Sequence, residues 1–104
     1  MAWLSGPRSK DIDTAVAHLC SDVFTRLLQH KNSTDEEKPA WEQTFSDLMR
    51  QLIEALGRYS DEHRMGVIKN ARIVTALKRE LQGEALCPKE YVNYALGLMR
   101  LRLE

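Results

Sequence analysis

Apolar side chains at Trp41, Phe45, Leu48, Leu52 and Ala55 recur at steps of four, three, four and three, with Met49, Ile53 and Leu56 beside them. That is the period of an α-helix with one face turned to a core, and it excludes the strict alternation of a half-buried strand. The same period returns on either side. Ile12, Val16, Leu19, Val23 and Leu27 form a stripe from Asp11 to about His30, flanked by Ala15, Cys20, Phe24 and Leu28. Val67, Ile68, Ala71, Val74, Leu77 and Leu81 form a third, over Asp61 to Gln82. After Pro88, a fourth helix is expected to bury Tyr91, Val92, Ala95, Leu96, Met99 and Leu103.

The residues between these stripes set where each helix starts and stops. Asp11 is placed to accept hydrogen bonds from the unpaired amides of a first turn. The polar stretch from Lys31 to Lys38 reads as a loop or the lead-in to the next helix, and Pro39 suits a first helical turn because its missing donor is not needed there. Glycine weakens a helix interior by roughly 1 kcal/mol and favours a C-cap. Gly57 is therefore expected to end or bend the second helix, with Arg58, Tyr59 and Ser60 as a tight connection and Ser60 capping the third. Asp61 and Glu62 in a first turn, and Lys78 and Arg79 in a last one, match the helix dipole. Gly83 stops that helix. Four amphipathic segments on short connections predict an all-α fold, a small antiparallel bundle of about four helices. At 104 residues the chain is read as one domain over 1–104, with 1–8 an N-terminal tail.

Fifteen basic and fifteen acidic residues cancel, so no overall field draws the chain to nucleic acid or an anionic membrane. The middle is nonetheless polarised. Residues 34–62 carry eight acids against three bases, whereas 64–79 carry Arg64, Lys69, Arg72, Lys78 and Arg79 with no acid. No apolar run approaches the roughly 20 residues of a membrane span, and the first residues lack the basic and apolar regions of a secretory signal. A cytoplasmic location is the expectation. Cys20 and Cys87 do not form a disulfide framework or a C-x-x-C pair. Packed, reduced cysteines are expected, with Cys87 the more reactive because it precedes a helix start.

No cofactor or metal is expected. His18, His30 and His63 lack the spacing of a metal-binding helix, and the one candidate pair, His18 with Asp22, is read as an ordinary surface pair. Glycine-rich phosphate loops and nucleophile elbows are missing from the sequence. Arg58 and His63 form R-x-x-x-x-H, which resembles the ribonuclease motif of HEPN-type helical domains. The resemblance covers six residues, with Tyr59 where that family commonly has a polar residue. It implies that Arg58 and His63 of two subunits would meet in a cleft to position and protonate an RNA phosphate. A connection arginine and a first-turn histidine is the preferred reading.

Two other function classes stay in view. Lys69, Arg72 and Arg79 fall near one face of the third helix and, with Asn70 beside them, could follow a nucleic-acid backbone. The stretch has no aromatic residues for base stacking, and a solvated face paired with the acidic second helix is the favoured alternative. The leading expectation is a non-enzymatic interaction module, a small adaptor, regulator, inhibitor or chaperone-like subunit. Its partner would be another protein or a second copy of itself as a homodimer, with no membrane involved. Trp3, Tyr59, Leu98 and Leu101 are the expected contact residues, because four short helices have too little core to hide all their apolar surface.

Overall fold

The structure, a computed structural model, describes residues 7–32 and 40–104. It holds four helices: α1 (Ser9–Asn32), α2 (Trp41–Glu62), α3 (Val67–Gln82) and α4 (Lys89–Leu103). There is no strand among the described residues, and the fold is the small all-α bundle that the periodicity predicts. Trp3, Leu4 and Pro39 lie outside the described residues.

Contacts fix how the helices run. His30 of α1 lies against Trp41 of α2, and Asp11 at the other end of α1 acts on Tyr59, so α1 and α2 are antiparallel. Asp13 meets Arg72 while Cys20, further along α1, feels the charge of Glu80, which makes α1 and α3 parallel. Phe45 packs on Tyr91 and Glu54 on Arg102, so α2 and α4 are parallel as well. The packing is chiefly α1 and α4 each against both α2 and α3. Chain direction therefore alternates as expected, but α2 and α3 stand across a diagonal despite their short connection.

At that connection the structure departs from expectation. Helix α2 runs straight through Gly57 and Ser60 to Glu62. It ends where Met65 N–H donates to Ser60 C=O (3.0 Å) and Arg64 N–H to Asp61 C=O (3.2 Å). This is a Schellman closure, with Arg64 at φ 50 in the left-handed position glycine usually occupies and Met65 buried behind it. Ser60 is not an exposed cap. It is buried, and its hydroxyl donates to Asn70 Oδ1, while Asn70 Nδ2 reaches Met65 C=O at 3.5 Å. These bonds tie the end of α2 to the first turn of α3. Gly57 serves a different need, because a Cβ there would stand 2.6 Å from the guanidinium of Arg102.

The core joins Ile12, Val16, Cys20 and Leu27 of α1 to Leu52 and Leu56 of α2, Ile73, Leu77 and Leu81 of α3, and Met99 of α4. Burying each large side chain of this kind contributes about 1.5–3 kcal/mol. The first turn of α3 corrects the sequence reading, since Val67 and Ile68 are each 87% exposed. With α3 starting at Val67, Ile73, Ala76 and Leu77 take the inward face. Residues 67 and 68 then fall about 120° to 140° round the helix from Ile73. At the start of α1, Asp11 sits in the first turn, where its carboxylate accepts from Arg8 N–H at 3.1 Å.

Candidate functional site

Helix α4 carries two faces. Val92, Ala95, Leu96 and Met99 are buried in the core. A second set, Tyr91, Tyr94, Leu98 and Leu101, follows at steps of three, four and three, the spacing of a single seam along a helix. Tyr94 is 65% and Leu101 67% exposed, Tyr91 is exposed at its rim, and Leu98 is half-buried. Tyr91, expected on the buried side, therefore belongs to the outward seam, held by an edge contact to Phe45 at 5.2 Å between ring centroids.

Beside this seam lies a groove between the parallel helices α2 and α4, with a volume of about 350 Å³. Phe45, Met49, Ile53 and Ala95 line its apolar depth, Tyr91, Tyr94 and Leu98 its α4 wall, and Glu42, Ser46 and Arg50 its α2 wall. Phe45, Met49, Ile53 and Ala95 on its floor are buried, while Tyr91 and Tyr94 on its wall are exposed. Arg102 closes the direction of the groove further along. Its Nε donates to Glu54 Oε2 at 3.1 Å and its Nη2 to Asp61 Oδ2 at 2.9 Å, and these hydrogen bonds, Glu54 first, push its already high pKa further up.

A second groove, about 460 Å³, lies between the start of α3 and the end of α4, lined by Val67, Asn70, Ala71, Val74, Arg100 and Leu103 among others. It is more open and carries fewer aromatic groups.

Two of the basic positions of α3, Arg72 and Arg79, are engaged internally. Arg72 Nε donates to Asp13 Oδ1 at 2.9 Å, with Nη2 on Oδ2 completing a two-pronged pair, and Arg79 Nη2 lies 3.5 Å from Oδ2 of the same carboxylate. The hydrogen bond from Arg72 is the main cause holding the Asp13 carboxyl below its ordinary value of 3.8. The partner is thus an aspartate of α1, whereas Glu54 and Asp61 of α2 pair with Arg102 of α4. Lys69 is half-buried, and Asn70 is committed to Ser60.

Of the expected contact residues, Leu98 and Leu101 come together on the α4 seam. Tyr59 does not join them. It lies on the α1 side of α2, half-buried, its ring 4.6 Å from that of His63, and burial pushes its hydroxyl pKa up. Arg58 and His63 are both exposed near the end of α2, with His63 at its C-cap. Asp22 pairs with Arg26 and not with His18. Among the described residues no group of three His, Cys, Asp or Glu side chains could hold a metal ion, and no helix is long and apolar enough to cross a membrane. Both cysteines are buried, and burial pushes the Cys20 thiol up to about 12 and the Cys87 thiol above its usual value.

Comparison with models of known families, with curated proteins and with solved structures finds no match to this chain. The arrangement of its own side chains is therefore what bears on function.

Proposed function

We propose that the protein works by contact with another protein or a second copy of itself, as a small adaptor, regulator, inhibitor or chaperone-like subunit, through the outward face of α4. The observation that carries this reading is the seam of Tyr91, Tyr94, Leu98 and Leu101, which continues into the apolar α2/α4 groove. Single exposed apolar residues are ordinary on a protein surface, but three in one row with half-buried Leu98 among them, beside an apolar groove, form a patch of the kind that marks an interaction site. Tyrosine suits that role, since its ring buries apolar area while its hydroxyl keeps a polar contact. Further support comes from the polar side chains that link helices. Among the described residues they are used on one another, as Asp13 with Arg72 and Ser60 with Asn70.

The test is affinity capture from a native extract with the wild-type chain and with the Leu98→Glu and Leu101→Glu variants. A partner retained by the wild type and lost from both variants, with helicity by circular dichroism unchanged, is the expected result. Capture that is indifferent to both substitutions overturns the reading. Nucleic-acid binding through Lys69, Arg72 and Arg79 draws less support, because two of the three are paired with Asp13.

A further inference from the structure

The rim of the α2/α4 groove carries its charges in a fixed order. Glu42 and Arg50 stand on the same wall, eight residues and hence about 12 Å apart along α2. Neither makes an ion pair among the described residues, unlike Glu54, Asp61 and Arg102 further along. Glu90, in the first turn of α4, adds a second exposed carboxylate at the Glu42 end. The two helices are parallel, so their dipoles point the same way, and a third helix laid between them gains most by running opposite to both.

We propose, resting on the protein-contact reading above, that the groove receives an amphipathic helix of a partner protein lying antiparallel to α2 and α4. Its apolar seam covers Tyr91, Tyr94 and Leu98 above the buried floor of Phe45, Met49 and Ile53, an acidic residue lies beside Arg50, and a basic residue about eight positions later lies beside Glu42 and Glu90. This charge order is also the one that suits a helix on its own, acids early and bases late. A helix satisfies its own backbone groups, whereas a β-strand needs an open strand edge, which two helical walls do not offer. Seam spacing matches as well, because apolar residues at i, i+3 or i+4 and i+7 interleave with the 91, 94, 98, 101 row.

Two synthetic helical peptides of identical composition test this by fluorescence anisotropy. Both carry a leucine seam, one with Glu preceding Lys by eight residues and the other with the two exchanged. The wild-type chain is expected to favour the Glu-first peptide by roughly fivefold, the scale of one or two exposed ion pairs. The Glu42→Lys/Arg50→Glu double variant should reverse the preference, and Leu98→Glu should abolish binding of both peptides. Equal affinity for the two, or a preference that the double variant leaves unreversed, overturns the proposal. So does a light-scattering mass of two chains that falls to one in Leu98→Glu, which assigns the groove to a second copy and leaves the broader protein-contact reading standing. That reading falls on its own observation, capture unaffected by Leu98→Glu and Leu101→Glu.

Discussion

Arg64 sits at φ 50 in the position of the α2 closure that glycine fills at least steric cost. Its side chain is exposed, so replacing it removes little contact. Arg64→Gly is therefore expected to raise stability by about 0.5–1 kcal/mol, seen as a higher denaturant midpoint at constant slope. A second residue-scale prediction concerns Asp13, whose folded pKa is lowered chiefly by the hydrogen bond from Arg72. A group of this kind contributes stability that is present above its ordinary value of 3.8 and is lost as pH falls through the lower folded value. In urea titrations the wild type should exceed Asp13→Asn at about pH 6, and the gap should close on acidification below about pH 4. A gap that does not depend on pH would remove the Asp13–Arg72 pair from the account.

At the scale of the element, the four helices were readable because each repeats apolar residues at the helical period over three turns or more. Their ends were less readable. A glycine within a helical pattern signals either a stop or a close approach, and the spacing alone does not separate the two. Gly57 is the second case, since Arg102 of α4 crosses it. The true stop carries an arginine in the left-handed position, a choice that sequence rules weight against. A stop at Gly57 starts α3 at Asp61 and draws Val67 and Ile68 into its buried stripe. The structure sets them outside, so Ile68→Lys is expected to change unfolding free energy by no more than about 0.5 kcal/mol, whereas Ile73→Ala should cost about 2–5 kcal/mol. Matching losses for the two would place α3 in the sequence-based register instead.

Across the whole molecule, pairing of α1 with α3 and of α2 with α4 creates a feature that no single helix shows. Parallel neighbours α2 and α4 leave an apolar groove with Glu42 and Arg50 on one wall. Leu98 and Leu101 were legible as surplus apolar surface on the last helix. The core stripe of Val92, Ala95, Leu96 and Met99 masks a second stripe interleaved with it, so periodicity alone draws Tyr91 to the buried side and gives no sign of Tyr94. The three, four, three spacing of residues 91, 94, 98 and 101 was the signal that would have found both tyrosines.

The most direct measurement places a photo-crosslinking side chain at Leu101, on the α4 seam, and in a separate chain at Lys78, an exposed position of α3, and irradiates both in native cell extract. The account predicts a discrete adduct, to another protein or to a second copy, from position 101 and none from position 78. Adducts of equal yield at both positions, or none at 101, would contradict it.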